Sequence, residues 1–424
     1  MATKLLDAHL LLALTRDGRL LFITRILRLF GYGLVSVNLM LYLTALGFSA
    51  FESGLLLTLT LVGDTIISLW ITTRADRIGR KTMLLAGAAL MLAAGIVFVF
   101  TGNFLLLLLA ATIGVISPSG NEVGPFLAIE QAALSHLVPN QSRTGVFAWY
   151  NLAGSIATAL GALAAGVTTH QLQLSGVTAI NSYRIVFIAY AVVGGTLALL
   201  FFKASPAIEV QPSDAPAPTT KLFLGLHRSR KVVLSLSALF SLDAFAGGFV
   251  VQSLMAFWFY KRFGANEEVL GSIFCGANIL AGISALTASR LAARFGLINT
   301  MVFTHIPSNL LLILVPFMPN LPLAITVLLP RFSISQMDVP TRQSYTMAVV
   351  DPDERSAAAG VTGVARTTGS ALSPIIATQL LAIPFLFSAP FILSGTLKII
   401  YDLLLWKKFR AVKPDAPATP KPTS

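Results

Sequence analysis

Ten ionisable side chains stand inside apolar stretches of this 424-residue chain: Arg25, Arg28, Arg331, Arg366, Lys398, Asp64, Glu122, Asp243, Asp338 and Asp402. Charges at such positions are costly and mark binding sites, ion paths or partners. A carboxylate stripped of water takes up a proton readily, and a guanidinium binds carboxylates or other anions through a two-pronged fork. Five charges of each sign imply mutual pairing, because an unpaired charge in low dielectric is disfavoured. The sequence offers little for covalent chemistry. It has no phosphate-binding Gly-x-x-x-x-Gly-Lys loop, no His-Glu-x-x-His and no Gly-x-Ser-x-Gly. Cys275 stands alone, so neither an intrachain disulfide nor a multi-cysteine metal site is possible. We expect no enzyme, no metal and no cofactor.

The elements that position these charges are membrane spans. Charged residues make up 11% of the chain and hydrophobic ones 55%. Soluble domains carry about 25% charge, and so sparse a supply cannot cover a water-facing surface. Mean hydropathy is +0.79. A crossing needs about 20 mostly apolar residues. Twelve such stretches occur, at about residues 20–46, 53–73, 83–102, 104–131, 146–168, 183–202, 232–259, 269–289, 298–317, 321–345, 357–382 and 386–406. We therefore expect an all-α polytopic membrane protein with twelve transmembrane helices. Residues 203–231 carry Pro206, Pro212, Pro216 and Pro218 among Ser, Asp and Thr and read as a flexible linker. This gives a short segment at 1–19, with an interfacial apolar patch at Leu10–Leu14, six-helix bundles at 20–202 and 232–406, and a disordered tail at 407–424.

Net charge is +12, which in a soluble protein would suggest nucleic acid. Its distribution says otherwise. With the N-terminus placed in the cytoplasm, 22 basic residues fall on the cytoplasmic side and only Arg184, Lys261 and Arg262 outside. Arg342, at the end of span ten, is counted among the 22. The excess is an orientation signal. Both termini and the linker are expected in the cytoplasm of a cell membrane, with the lipid bilayer and not nucleic acid as partner.

The halves repeat. Leu27, Phe30, Gly33, Val35, Leu39 and Met40 match Leu242, Phe245, Gly248, Val250, Leu254 and Met255 at an offset of 215. Gly54, Ala75, Arg77 and Gly79 match Gly271, Ala292, Arg294 and Gly296 at an offset of 217. Two six-span halves of the same orientation form one known transporter plan. On this alignment Arg28 falls opposite Asp243, and we expect the two to face each other across the pseudo-twofold axis.

After span two the chain reads Thr72-Thr-Arg-Ala-Asp76-Arg77-Ile-Gly79-Arg80-Lys81. This resembles the Gly-x-x-x-Asp-Arg-x-Gly-Arg-Lys loop of the major facilitator superfamily, with Thr72 in place of the leading glycine. Residues 292–296 are a weaker copy. The resemblance covers about residues 20–406. It implies two pseudo-symmetric bundles working by alternating access as a monomer. It implies that Asp76, Arg77, Gly79, Arg80 and Lys81 latch the halves in one state, with Glu130 as a third member. It also implies that spans one, four, seven and ten line a central cavity. Arg28, Glu122, Asp243, Arg331 and Asp338 lie on those spans, and Arg366 on span eleven. Span five lacks the Gly-Pro signature common in the family's drug–proton antiporters, and span four carries Glu122 rather than a basic arginine.

Spans four and ten each set an acid just before a proline, in Glu122-Val-Gly-Pro125 and Asp338-Val-Pro340. Proline frees a carbonyl and bends a helix, so these read as broken, cavity-lining segments, or else as packing kinks. Asp64, after Gly63 near mid-span, is either a proton carrier or a static partner of Arg366. Lys398 and Asp402 are spaced for a local i,i+4 ion pair. His305 reads as a hydrogen-bonded structural residue before a proton relay, Arg25 as near enough to the interface to snorkel, and the four tryptophans as interfacial anchors. The function expected is secondary active transport of a small solute, coupled to protons through Asp64, Glu122, Asp243 or Asp338, with export favoured. The alternative is an anionic solute bound by Arg28, Arg331 or Arg366. A non-transporting receptor or scaffold would have no need of ten buried charges.

Overall fold

A computed structural model describes residues 14–121, 126–139, 142–209, 226–351 and 354–410. The side chains of Thr72, Thr73, Asp76, Thr144 and Ser356 lie outside the described set. So do residues 10–13 of the N-terminal apolar patch, Glu122, linker residues 210–225 and the tail from 411. The first half consists of α1 (Arg16–Ala45), α2 (Ala50–Ile78), α3 (Arg80–Phe100), α4 (Phe104–Ile113), α5 (Phe126–Leu137), α6 (Arg143–Leu174) and α7 (Ala179–Phe202). The second consists of α8 (Arg230–Gly248), α9 (Gln252–Phe263), α10 (Glu267–Phe295), α11 (Leu297–Leu314), α12 (Leu321–Ser335), α13 (Asp338–Ala348), α14 (Arg355–Ala382) and α15 (Ala389–Phe409).

Among the described residues, nine crossings are long and apolar enough to be recognised by length and composition, with α8 and α9 counted together. The other three of the twelve have identifiable reasons for being different. Span four is split into α4 and α5, span ten into α12 and α13, and α14 is continuous but rich in Gly, Ser, Thr and Arg. The splits fall where the acid–proline segments predict them. Broken backbone survives at membrane depth only if its polar groups are satisfied by protein or water. Here Pro118 O accepts the Ser253 N–H (3.1 Å), Gly120 O accepts Thr158 Oγ1 (3.3 Å), and the Gln336 N–H donates to Ser284 Oγ (3.3 Å).

At the end away from the basic loops, helices begin on short polar caps. Ser49 forms a capping box with Glu52, and Asn103, Thr178, Asn266 and Asn320 each accept an N–H three residues on. Each such cap stabilises its helix by about 1 kcal/mol. At the basic end, α2 turns into α3 at Gly79 (φ +113°) and α10 into α11 at Gly296 (φ +85°). These are the two glycines aligned by the repeat, and both adopt backbone that only glycine takes freely.

Packing repeats as well. In the first half α1 lies on α6 and α3 on α7; in the second α8 lies on α14 and α11 on α15. Two further pairs, α6 with α10 and α2 with α14, join the halves. Trp258 departs from its expected interfacial place. It is fully buried among Phe259, Phe263, Phe387 and Phe391, where the outer half of a broken span, α9, meets the start of α15.

The contacts joining the halves run from mid-span to the end opposite the basic loops. Tyr183 and Gln173 donate to Glu267 (2.6 and 3.1 Å), Gln252 to Ser36 (2.8 Å), and the Ile375 N–H to Thr58 (3.1 Å). Toward the basic end, Asp64, Ser68 and Arg366 are half-exposed, and a Cβ at Gly360 or Gly363 would meet open space. The molecule is closed at the polar-capped end and parted at the basic one.

This packing can be tested at two places. A Cβ at Gly166 would lie 2.2 Å from Glu267 O and 2.9 Å from Gly271 Cα. Gly166→Leu should therefore wedge the capped end open. With Cys275→Ser removing the natural thiol, a Ser253→Cys reporter, buried at present, should resist a water-soluble maleimide in the parent and react in the Gly166→Leu protein. The second place is Glu354, in the loop before α14. Burial pushes its carboxyl up, but hydrogen bonds from Ser229 and the N–H groups of His227, Arg228 and Ser229 outweigh this and bring it to about 2. A carboxyl depressed on folding stabilises above its unfolded value, about 4.3, and that stability is lost as pH falls toward the folded value. Glu354→Gln should lower Tm at pH 7 and flatten the fall of Tm between about pH 5 and pH 3.

Candidate functional site

Among the described residues, each half holds a buried charged cluster within its spans, and the bonds of each cluster stay within its own half. In the first half Arg28 reaches from α1 to Glu130 on α5 through two parallel bonds, Nη1 to Oε1 at 2.7 Å and Nη2 to Oε2 at 2.6 Å. Both side chains are fully buried. Thr24 Oγ1 donates to Oε1 (3.1 Å) and the Tyr150 hydroxyl to Oε2, so Glu130 is held by three side chains. The Arg28 guanidinium lies over the Phe126 ring (4.6 Å). Beside it, Arg25 donates to Tyr150 O (2.9 Å) and Asn151 Oδ1 (3.3 Å) and stacks over the Tyr150 ring (4.2 Å). Arg25 does not snorkel; it clamps α1 to α6.

This arrangement differs from the expected pairing: Arg28 does not face Asp243 across the axis. Positions related by a twofold meet only near the axis, and Arg28 instead satisfies its fork inside its own bundle. Glu130, expected as a third member of the loop latch, is bonded here to Arg28 and not to the loop. Arg80 is occupied elsewhere: its N–H donates to Glu209 Oε2 (2.7 Å) and its guanidinium to Ile208 O (3.2 Å). Lys81 donates from its N–H to Glu209 Oε1 (3.1 Å) and from Nζ to Ala204 O (2.9 Å). The loop is thus braced by the first residues of the linker, with Gly79 shaping the turn. Arg77 is exposed, and the Asp76 side chain lies outside the described residues.

In the second half Asp243 on α8 is the hub. Lys398 Nζ donates to Oδ1 at 2.6 Å. Arg342 Nη1 reaches Oδ2 at 3.2 Å and Asp338 Oδ2 at 2.7 Å. Arg366 Nη1 lies 3.6 Å from Oδ2, with a third of its side chain exposed. Four helices, α8, α13, α14 and α15, meet at one carboxylate. Behind it, Asp402 Oδ1 pairs with His305 Nδ1 (2.9 Å), and Oδ2 accepts Asn309 Nδ2 (3.3 Å). The expected Lys398–Asp402 pair is therefore not formed. Each member turns to a different helix, because an interhelical partner satisfies a buried charge better than a neighbour on one helical face. His305 is hydrogen-bonded, as expected.

Arg342 was missed as a functional residue. It sits near a span end and reads as an orientation charge, yet it is 5% exposed and bonded to two acids. Only its i,i+4 spacing from Asp338 could have signalled this. Tyr150 was also missed, since nothing in the sequence marks a single tyrosine as a carboxylate's third partner. Arg331, on α12, is buried and lies over the Phe332 ring (4.8 Å), with no carboxylate in ion-pairing range among the described residues. Asp64 accepts Ser68 Oγ (3.2 Å), while Arg366 goes to Asp243.

The repeat now acquires chemical content. Arg28 and Asp243 are equivalent by the 215 offset, and each pairs with a residue on the equivalent half-span, Glu130 on α5 and Arg342 on α13. Each half thus ties its first span to the second part of a broken span by a buried ion pair, with the sign on the first span exchanged; the partners themselves do not align, since Glu130 falls opposite Tyr345 at that offset. The first-half pair is sealed, whereas the second-half hub is reached by a partly exposed arginine.

A helical membrane protein with two pseudo-symmetric halves, a closed end, a parted end and buried charge in each half has the build of a secondary transporter. The comparisons agree: the Major Facilitator Superfamily profile matches residues 21–374, and the chain belongs to that family of membrane transporters. An uncharacterized membrane protein of Saccharomyces cerevisiae is 33% identical over 426 residues, 94% of this chain and 95% of the relative. Among solved structures, the nucleoside transporter NupG superposes with a TM-score of 0.69 at 14% identity, over 93% of this chain and 99% of that one. A D-xylose-proton symporter gives 0.69 at 14% over 92% and 97%. An inward-facing, unoccupied bacterial homolog of the human lysosomal transporter Spinster gives 0.66 at 15% over 92% and 94%. At these identities the likeness is one of fold.

Removing one partner of a sealed ion pair leaves a buried charge uncompensated and costs about 3–5 kcal/mol. Glu130→Gln should therefore lower the stability of the purified protein steeply. Glu130→Asp, which keeps the charge, should lower it less, and a thermal melt would rank the two. Equal melting of Glu130→Gln and the parent would mean that the bond contributes nothing.

Proposed function

We propose that this protein moves a small solute by alternating access, driven by a proton gradient, with the Asp243 hub as the coupling site. The observation that carries the reading is one carboxylate shared by Lys398, Arg342 and Arg366, the last of which is exposed toward the parted end. Three cations hold Asp243 as a carboxylate, so a proton would reach it only after solute binding or rocking had drawn Arg366 away; protonation would then release Lys398 and Arg342 and loosen the hold of α8 on α13, α14 and α15. Loss of a proton would draw them back. Asp338, which shares Arg342, is the second acid of the pair. Asp64 remains a carrier on the other face of the opening, and Glu122 falls outside the described residues. We place the basic end in the cytoplasm of a cell membrane, a reading supported by the distribution of Lys and Arg. The molecule is then open inward, and it works as a monomer because each charged cluster is complete in one chain. Export in exchange for protons is the favoured direction.

A second reading has its own observation. Arg366 is a third exposed, and Arg331 is buried without a carboxylate partner among the described residues. A carboxylate- or phosphate-bearing solute would find in Arg366 a cation already half released, and binding would compete with Asp243 for it.

The readings are tested in proteoliposomes loaded with a pH-sensitive dye, with nucleosides, sugars and organic anions added in turn. An active solute should move the internal pH, and the sign of the change gives the direction of coupling. Asp243→Asn should abolish that change, and Arg366→Lys should weaken anions more than neutral solutes. Solute flux that ignores both ΔpH and membrane potential would end the proton-coupling proposal.

A further inference from the structure

At the basic end of the second half, an open groove runs between α8 and α15 on the outer surface, away from both charged clusters. Leu234, Ser235 and Ala238 form one wall and Leu404, Lys407 and Lys408 the other, around about 720 Å³. That volume lies within the range of about 300–1,000 Å³ typical of small-molecule sites. The groove has a cause in the sequence. At the offset of 215 the first half places Leu20 and Ile23 where the second half has Ser235 and Ala238. Ile23 is 48% exposed and fills the corresponding surface; Ala238 leaves it empty.

The chemistry of the groove is two-ended. Its body is apolar, with Leu234 and Leu404 each more than two-fifths exposed. Its mouth carries two ammonium groups and its lining no carboxylate. Lys408 Nζ is bonded to Ser235 Oγ across the groove (2.8 Å), which fixes one ammonium over the apolar trough. Arg410, stacked on Trp406 at 4.2 Å, and Lys231 at the start of α8 add positive charge at the same end. A long apolar trough that ends in clustered cations complements a molecule with an acyl tail and an anionic head. Basic pockets between spans recognise such heads.

We propose that this groove is a binding site for an anionic diacyl phospholipid, with one acyl chain along Ala238 and Leu404 and the phosphate at Lys407 and Lys408. The site is independent of the transport reading. The test uses the full-length protein in detergent, with phosphatidylglycerol or phosphatidylcholine of the same acyl chains added. Melting and native mass spectrometry are the readouts. Phosphatidylglycerol should raise Tm more than phosphatidylcholine and remain bound as a discrete adduct. Lys407→Gln with Lys408→Gln should remove the preference while leaving the Tm in detergent unchanged. Ala238→Trp, which fills the trough and leaves both lysines, should remove the adduct. Equal shifts from the two lipids, or a preference that survives in the double variant, would overturn the proposal. So would reproduction of the phosphatidylglycerol shift by inorganic phosphate together with phosphatidylcholine, which would show an ion site and not a lipid site.

Discussion

A charge in hydrocarbon is costly without a partner, and each of the two buried clusters of this protein finds its partners inside a single bundle. The bidentate bond from Arg28 to Glu130 satisfies this inside one bundle, with Tyr150 and Thr24 completing the carboxylate's shell. Asp243, Arg342 and Lys398 satisfy it inside the other. Among the described residues, the interface between the halves is left to neutral donors, close-packed glycines and two neighbouring acids near the water-facing end, Glu267 and Glu268, the latter 3.8 Å from His170. A bond from Arg28 to Asp243 would have stapled the two bundles together through the oil. Bundles with internal charge and an interface with little of it are two sides of the same constraint.

Breaking spans four and ten serves the same end. α5 brings Glu130 to Arg28, and α13 brings Arg342 and Asp338 to Asp243. A straight helix of that length would present its residues on a fixed 3.6-residue spiral. The break lets the second half-span rotate its charged face toward α1 or α8 while the first keeps its apolar face against its neighbours. The freed backbone groups are taken up by Ser253, Thr158 and Ser284, so the cost of interruption stays small.

Much of this was legible in the residues. Length and apolarity marked the spans, the prolines near Glu122 and Asp338 marked the breaks, and the offset shared by Gly79 and Gly296 marked the repeat, which reappears as two glycines in the same unusual backbone. Arg25, Arg28, Arg331, Asp243, Asp338 and Asp402 were legible as buried charges too; Arg342, Glu130 and the pairing were not. An offset says which positions are equivalent, and equivalence under rotation separates residues instead of joining them. Lys398 and Asp402 looked like partners because they share a helical face, yet each had a better-placed partner on another helix. Arg342 escaped notice because a basic residue near a span end has an ordinary explanation, and only the position of α13 shows that its side chain turns inward.

The inverted pairs also constrain the history of the chain. Arg28 with Glu130 cannot be turned into Asp243 with Arg342 one substitution at a time without passing through two like charges or one lone charge at the same buried place. Both intermediates would cost a large part of a typical domain's stability of about 5–15 kcal/mol. The sign of the buried pair is thereby locked in each half, because any single substitution toward the opposite sign leaves a lone or like charge inside the bundle.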